Sequence, residues 1–468
     1  MVELMRLSYR DVRPVVPALL SAAAAAALVF GAFGGVSWAH ILAWAVLVLG
    51  GLVVLLFGHN MALFLAFGFL LGAAPTIQVP VINVSAVFAL AVLVWIAALA
   101  RPRPLPRIQP IDIAFVALLV ASAVSVAATV DTVGSVREFV RWAIATAVVF
   151  PLRLLSAAEL RRVGRAFVAG ACLAAATGIA LLKLDPNYSF VGRLSFLGYD
   201  PMGGNGRFVV GTRGAANRLV GTYIDPNLGG FMLLIALIVA IALLSGHIRI
   251  VVGGLLSIAI ALTLSRSAMG SAAVSAIVLV FLSRISVKLK LRLLALGVVS
   301  SAGLLAIPAV RFRLIDSFGP TDTGSVARRS AFQEFPHEMA GHWFFGNGWG
   351  LPELIDAVAA SASNNIANSP LLTLYRGGVV VAAVFVMMLV IGIVASWRLA
   401  RSSDFPSAVI GTGFIGLAVV ALQLDFTVVT LISATMAFAL LVAFVTGGAA
   451  AIDDPAPNAQ SSDEESHA

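Results

Sequence analysis

Arg266 is the residue of this sequence whose position most strongly suggests chemistry. It follows Leu264 and Ser265 and separates two apolar runs, 250–264 and 268–283. An arginine at the centre of a membrane helix costs roughly 2.5–3.5 kcal/mol on insertion scales, and a position at the turn of a helical hairpin lowers that cost. Two interpretations stay open: a charge that snorkels to the membrane surface from a helix end, or a guanidinium that binds an anion there.

Further arginines lie in or beside two long connections between apolar runs. They are Arg193, Arg207, Arg213, Arg218, Arg311, Arg313, Arg328, Arg329 and Arg376. Arginine forms paired hydrogen bonds to phosphate oxygens, so several guanidiniums that converge at one membrane surface suit a pyrophosphate. Contact with lipid headgroups is the alternative for each of them. The residue types therefore favour binding of a phosphorylated, membrane-associated ligand.

Composition defines the elements that must position these arginines. Of the 468 residues, 60% are hydrophobic and 11% charged, which is too apolar for a soluble protein of this length. The sequence predicts an all-α, polytopic integral membrane protein with about 14 (12–14) transmembrane helices, from apolar runs of about 20 residues. The expected spans lie near 15–34, 38–57, 61–76, 81–100, 111–130, 138–155, 164–183, 227–245, 249–265, 267–283, 292–309, 370–396, 406–423 and 427–447.

One polytopic domain is expected over 1–448, with two long external loops, 184–226 and 310–369. Both loops contain aromatic residues and glycines, which favours ordered, functional connections. The tail 449–468 is rich in Ala, Pro and Ser and carries several Asp and Glu residues. It is predicted to be a disordered, acidic, cytoplasmic segment.

The distribution of Arg and Lys predicts the orientation of the domain. Short loops such as 77–80 and 131–136 have no basic residue, whereas the alternate loops are basic. By the positive-inside rule, the N and C termini are cytoplasmic and the protein is a multi-pass protein of the cell inner (cytoplasmic) membrane. The net charge of +8 follows from this orientation, so no nucleic acid is expected as a partner.

Metal and cofactor motifs are weak. His337 and His342 are five residues apart, whereas helical zinc ligands need a spacing of four. The glycine-rich segment 203–206 lacks the lysine of a phosphate-binding loop. Cys172 is the single cysteine and lies within a predicted span. We therefore expect no metal site and no cofactor.

Four segments appear in an order that resembles a known family. They are Asn217-Arg218-Leu219-Val220-Gly221-Thr222-Tyr223-Ile224-Asp225-Pro226-Asn227, Thr263-Leu264-Ser265-Arg266-Ser267-Ala268, Arg328 with Phe332 and Gly346-Asn347-Gly348-Trp349-Gly350, and Asn368-Ser369-Pro370-Leu371 with Gly378. Together they resemble the O-antigen ligase / O-antigen polymerase family of bacterial membrane glycosyltransferases. The similar core runs from 217 to 380, about a third of the chain.

The resemblance implies a metal-independent enzyme that transfers a glycan from a polyprenyl-diphosphate-linked donor to a hydroxyl of a glycan or glycolipid acceptor, in cell-surface polysaccharide assembly. It implies catalytic roles for Arg266 and Arg328. It implies substrate binding by Arg218, Asp225, Asn227, Asn368 and Arg376. The family's ligases carry a histidine before the last motif, where this chain has Ala367, so the catalytic base is not assigned.

Two other functions stay open. A transporter or flippase of lipid-linked saccharide would use a similar membrane domain, but such proteins usually show internal repeats, and none is evident in this sequence. A non-catalytic family member is the other alternative, which Ala367 favours. Membrane lipid is an expected partner in every case.

Overall fold

The computed structural model of the chain describes residues 60–79, 84–100, 106–130, 133–185, 190, 208–211, 214–223, 225–311, 332–349, 368–422, 428–429 and 431–447. Several predictions fall outside these residues: the spans 15–34 and 38–57, Arg328, Ala367 and the tail 449–468. Much of the two long loops lies outside them as well.

The described part of the chain is built from α-helices. In chain order they are α1 (Asn60–Ala73), α2 (Ala86–Ala100), α3 (Pro110–Thr129), α4 (Val133–Ala147), α5 (Val149–Arg153), α6 (Ala157–Leu184), α7 (Pro226–Leu243), α8 (Gly246–Leu262), α9 (Arg266–Leu282), α10 (Val287–Ala306), α11 (Ser369–Ala400), α12 (Phe405–Gly416) and α13 (Ile432–Gly447). A π-helical turn, Leu417–Ala421, continues α12, and a short helix at 332–338 precedes the loop to 349.

Two short antiparallel ribbons accompany the helices. The first pairs β1 (Gln78–Val79) with β2 (Val84–Ser85), and the second pairs β3 (Phe208–Gly211) with β4 (Gly214–Asn217). The all-α prediction did not include them. The second ribbon matters for the site because β4 ends immediately before Arg218.

Five helices in the described part are long and apolar enough to cross a membrane: α3, α6, α7, α10 and α11. Six shorter apolar helices of 10–17 residues lie among them. An all-α membrane fold is therefore confirmed. The total of about 14 spans stays a prediction, although helices occupy every expected span from 61–76 onwards.

Polar residues fix where several of these helices begin. The Asp225 carboxylate accepts two backbone N–H groups of the first turn of α7, each at 2.8 Å, and Pro226 is the first helical residue. Ser156 and Glu159 bond reciprocally at the start of α6. Asp404 caps α12. A cap of this kind stabilises a helix by about 0.5–2 kcal/mol, so loop residues determine the helix boundaries.

Structure and expectation differ most at 138–155. There the chain forms α4, which begins at Val133, and then the short α5. The earlier start adds residues 133–137, including Arg137, to the helix, and Arg141 Nη1 lies 3.0 Å from Glu138 Oε1. This pairing at a spacing of three residues stabilises the first turns of α4.

Contacts between helix termini show that the helices run in alternating directions. The start of α10 meets the start of α12, because the Arg284 N–H donates to the Ser402 carbonyl at 3.1 Å. The start of α3 meets the end of α13, because Gln109 Nε2 donates to the Thr446 carbonyl at 2.9 Å. We call this end of the bundle the basic end. It carries Arg107, Arg153, Arg161, Arg162, Arg165, Arg249, Arg284, Lys288, Lys290, Arg292, Arg398 and Arg401.

At the opposite end, which we call the site end, the remaining termini meet. The Tyr223 hydroxyl donates to the Gly72 carbonyl at the end of α1, at 2.8 Å. Ser125, near the end of α3, donates to the Phe345 carbonyl at 2.7 Å. The helices α7, α9 and α11 all begin here. The arginines of the predicted site therefore lie at the end of the bundle opposite the basic end, together with Arg137, Lys183 and Arg311.

Glycines allow α1 and α6 to pack with their backbones in contact. A Cβ atom added at Gly72 would lie 2.1 Å from the Phe167 carbonyl oxygen, and one added at Gly170 would lie 2.1 Å from that of Phe69. Such close approach of small residues is a common way for membrane helices to associate. It holds the end of α1 against α6, and the Tyr223 hydroxyl, in the segment that follows Arg218, donates to that same end of α1.

Candidate functional site

Arg218 is buried at the site end and joins two of the four motif segments. It is only 6% exposed. Its Nε donates to the Thr263 carbonyl at 2.8 Å, and its Nη2 donates to Asn227 Oδ1 at 2.7 Å. The guanidinium thus ties the start of α7 to the turn between α8 and α9. Buried arginine is tolerated in proteins when such charge-assisted hydrogen bonds replace water.

The turn that precedes Arg266 has an unusual backbone. The Leu219 N–H donates to the Leu262 carbonyl at 2.8 Å, where α8 ends. Leu264 then adopts φ +53°, a left-handed conformation that few residues other than glycine adopt. Backbone strain of this kind costs on the order of 1–3 kcal/mol and is common at ligand sites. The chain enters α9 directly after this turn, and Arg266 is the first helical residue.

Arg266 is half-buried at the N-terminus of α9. Ser265 precedes it but makes no side-chain cap to this helix; its Oγ lies 3.3 Å from that of Ser267. Helix N-termini carry partial positive charge and favour anions. Arg266 therefore lies beside the partial positive charge of the α9 N-terminus. The Arg218 guanidinium, which binds the same turn, adds a further positive charge.

Asp225 and Asn227, which were predicted to bind substrate, make contacts within the fold. One Asp225 oxygen caps α7, and the Asn227 carbonyl oxygen accepts from Arg218. Close packing holds this arrangement, because a Cβ atom at Gly230 would lie 2.9 Å from the Cβ atoms of Ser265 and Ala268. In the described geometry, Asn227 holds the arginine in place and Asp225 holds the start of α7. Their contact with substrate stays a prediction.

A second arginine lies against tryptophan. Arg376, in α11, is 9% exposed, and its Cζ lies 5.6 Å from the centroid of the Trp349 ring. Trp349 is 1% exposed and stacks on Trp142 of α4, with ring centroids 4.4 Å apart. Phe139 meets the same ring edge-on at 5.6 Å. Cation–π contact with a desolvated arginine contributes up to about 2 kcal/mol.

Backbone hydrogen bonds fasten the 343–349 loop to α11. Asn347 N–H donates to the Tyr375 carbonyl at 2.7 Å, and Gly348 N–H donates to that of Arg376 at 3.1 Å. Gly378 has φ +78° and kinks α11, and a Cβ atom there would lie 2.0 Å from the Phe344 carbonyl oxygen. Only glycine fits this contact. The continuous span expected over 370–396 is thus bent near its start.

Asn368 lies at the start of α11 and caps it, because its Oδ1 accepts the Leu371 N–H at 3.0 Å. The next residue, Ser369, is fully buried, and its hydroxyl accepts the Val428 N–H at 3.3 Å. This contact joins α11 to the segment before α13. A substrate role for Asn368 stays a prediction, and its cap shows why the helix begins there.

The aromatic partners on α4 were not among the predicted site residues. Trp142 is buried, and its Nε1 donates to the Val428 carbonyl at 3.4 Å. Arg141 beside it is partly buried and bonds to Glu138. Charged residues inside an apolar span are a known indication of a functional region, and that pattern could have directed attention to this helix.

His337 and His342, the two histidines whose spacing does not suit helical zinc ligands, also belong to this region. The helix that carries His337 ends at 338, and Gly341 before His342 has φ +85°. Among the described residues, no group of three His, Cys, Asp or Glu side chains is placed to hold an ion.

The fold and the site define an all-α membrane protein with two arginine-containing clusters at one end of its helix bundle. One cluster is Arg218 with Arg266, and the other is Arg376 with Trp349. No protein-family model matches the chain, and no curated protein matches it closely in sequence.

Proposed function

We propose that the protein is a membrane glycosyltransferase of the O-antigen ligase/polymerase type. The observation that carries this proposal is the pairing of the four motif segments. The 217–227 segment binds the 263–268 turn through Arg218, and the 343–349 loop binds the start of α11 around Arg376. Segments far apart in sequence thus assemble at one end of the bundle. Such assembly supports a common site for a diphosphate-linked donor.

The proposed reaction uses positive charge rather than a metal ion. The acceptor hydroxyl oxygen attacks the anomeric carbon of the donor sugar, and the bond to the polyprenyl diphosphate breaks with its electron pair leaving on the diphosphate. Arg266 and Arg328 neutralise this leaving group. One well-placed electrostatic donor is typically worth about 10²–10³ in rate.

The hydroxyl proton needs a base, which adds about 10²–10⁴ in rate. Ala367 stands where the resemblance places a histidine, so the base has moved or the step relies on charge stabilisation. His337, His342, Glu334 and Glu338 lie in the same long loop and are the candidates. We assign the role to none of them.

The proposed orientation puts the basic end in the cytoplasm and the site end on the external face of the cytoplasmic membrane. Twelve of the nineteen basic residues in the described part of the chain lie at the basic end, and this bias supports it. An external site needs a lipid-linked donor, because nucleotide sugars are cytoplasmic. A diphosphate at the membrane surface then lies at the depth of Arg266.

The test is reconstitution of the purified protein in liposomes with a polyprenyl-diphosphate-linked oligosaccharide and a candidate glycan acceptor. A new glycosidic product, detected by mass and absent from protein-free liposomes, is the expected result. Movement of the donor between leaflets without a new product would instead establish a flippase. The Arg284→Ala variant, altered at an exposed residue of the basic end, serves as a control and should retain full transfer.

A further inference from the structure

A large cavity separates α10 from the rest of the bundle. It has a volume of about 740 Å³ and lies between α10 and the walls of α7, α9 and α12. No residue of the apolar window of α10 is buried, although this helix is long enough to cross a membrane. Gly297 faces the cavity and has no other atom within 4 Å of a Cβ position. The protein therefore forms a cleft between α10 and the other helices of its apolar bundle.

The walls of this cavity are apolar. Leu237, Ile241, Leu293 and Val298 are typical lining residues. The hydroxyl of Thr412, one of the few polar groups there, already donates to the Ala408 carbonyl at 2.8 Å. Water occupies a cavity only where several polar groups hold it. Hydrocarbon is the occupant that these walls favour, and the volume lies within the range of about 300–1,000 Å³ of ligand pockets.

Two cationic side chains, Lys290 and Arg249, lie near the rim of the cavity that is closest to the basic end. Lys290 is half-buried on α10 and lies one helical turn before the lining residue Leu294, so the two share a face. On the opposite wall, Arg249 Cζ lies 5.2 Å from the ring of the lining residue Phe405. An apolar chamber with cations at one rim matches a lipid with an anionic headgroup.

The carboxylate of Asp404, next to the lining residue Phe405, is engaged at a helix N-terminus. Asp404 accepts the Ser407 N–H at 2.8 Å as the cap of α12. The ion pairs in the described part of the chain involve Arg137, Arg141 and Arg153. Lys290 and Arg249 belong to none of those pairs. Arg249 Nε donates to the Leu244 carbonyl at 2.5 Å, so its two terminal nitrogens, with the Lys290 ammonium, are the donors offered to a phosphate.

We propose that this cavity is a binding site for an anionic phospholipid, with an acyl chain between α10 and α7–α9–α12 and a phosphate held by Lys290 and Arg249. The bound lipid would complete the packing of α10, which otherwise has few protein neighbours. The phosphate end of this site lies at the basic end, opposite Arg266, and its occupation is independent of the proposed glycosyl transfer. A lipid here acts as a structural ligand of the membrane domain.

The experiment measures lipid retention by native mass spectrometry, after the intact protein is incorporated into nanodiscs of phosphatidylglycerol and phosphatidylcholine in equal amounts. We expect one phosphatidylglycerol to remain bound. Lys290→Gln should lower the retained fraction about tenfold, as expected for the loss of one charge-assisted hydrogen bond. Lys288→Gln, which removes an equal charge from an exposed position of the same helix, should leave retention unchanged.

A second pair of variants tests the cavity without changing charge. Gly297→Leu should fill the space and displace the lipid, whereas Gly303→Leu should not. Both glycines lie on α10 with open space around them, but only Gly297 lines the cavity. Equal retention of both lipid classes, or retention that neither Lys290→Gln nor Gly297→Leu lowers, would overturn the proposal. A bound polyprenyl diphosphate, or a second copy of the chain, in place of phospholipid would overturn it as well.

Discussion

The Nε–H of Arg218 donates to the carbonyl oxygen of Thr263, 45 positions further along the chain, at 2.8 Å. The same guanidinium binds Asn227 at 2.7 Å. One buried charge therefore fastens the end of α8 to the start of α7 and sets the position from which α9 begins. Arg266 depends on this arrangement, because it is the first residue after the turn.

Arg218→Lys should lower the stability of the protein. An ammonium on a single stem replaces the planar fork that reaches Thr263 and Asn227 together, so one buried acceptor loses its partner. The expected loss is about 1–3 kcal/mol in the free energy of unfolding, measured by reversible unfolding in mixed micelles. Arg284→Lys, at an exposed position, should change it by less than about 0.5 kcal/mol. Equal stability of the two variants would contradict the proposed role of Arg218.

Trp349 offers a second test, because its ring and its N–H are expected to contribute differently to the free energy of unfolding. Its Nε1 has no hydrogen-bond partner among the described residues. Trp349→Phe should therefore cost little, whereas Trp349→Ala should cost about 3–5 kcal/mol through lost packing on Trp142 and Arg376. Trp343→Ala is the matched control, since Trp343 is 44% exposed. A large loss from the Phe variant would show that the indole N–H has a partner.

The sequence predicted the positions of the described helices well, because the residues that define a helix lie within it or within one turn of its ends. Apolar runs, prolines and capping residues such as Asp225 act within one turn of a helix, and each marks a boundary that the structure has. The early start of α4 at Val133 was missed, because residues 133–137 include Gly134, Ser135 and Arg137 and do not form an apolar run. The kink at Gly378 was missed because its cause is the carbonyl of Phe344, a contact with a distant segment.

The site was predictable only in part for a related physical reason. Arg266 stood out because a charge between apolar runs is energetically unusual. The contact of Arg218 with Thr263 and the stack of Trp349 on Trp142 join helices that are distant in sequence. No local pattern encodes such contacts. The capping roles of Asp225 and Asn368 were open to prediction, because Asp-Pro and Asn-Ser-Pro before an apolar run are helix-start patterns.

Packing between α1 and α6 should be highly sensitive to one methyl group. Gly72→Ala would place a Cβ atom 2.1 Å from the Phe167 carbonyl oxygen, so the helices must separate, at a cost of about 1–3 kcal/mol or more. Gly254→Ala in α8 has nothing within 4 Å and should be neutral or slightly stabilising. Thermal denaturation of both variants in one detergent is the measurement. Equal melting temperatures would show that α1 and α6 are not in backbone contact.

Orientation is testable with single cysteines in a Cys172→Ala background. Gln333→Cys lies at the site end and Ser403→Cys at the basic end, both at exposed positions. If the basic end is cytoplasmic, an impermeant maleimide should label Gln333→Cys in intact cells and Ser403→Cys only after permeabilisation. The reverse pattern would place the site end in the cytoplasm and contradict the proposed use of an external lipid-linked donor.

The final prediction concerns how Arg266 acts. If it binds the leaving diphosphate, Arg266→Ala should lower glycan transfer by about 10²–10³. Protein level and membrane insertion should stay near normal, because removal of the charge lowers the insertion cost. Arg266→Lys should also be poor, since an ammonium keeps the charge but loses the paired hydrogen bonds.

Arg328→Ala should resemble Arg266→Ala, and the double variant should be little worse than either, as for residues that act as a unit. The measurement is the initial rate of product formation in proteoliposomes that contain equal amounts of each variant. Losses that multiply in the double variant would mean that the two arginines act on different groups. Full turnover by Arg266→Ala would return this residue to the role of a charge that reaches the membrane surface from a helix end.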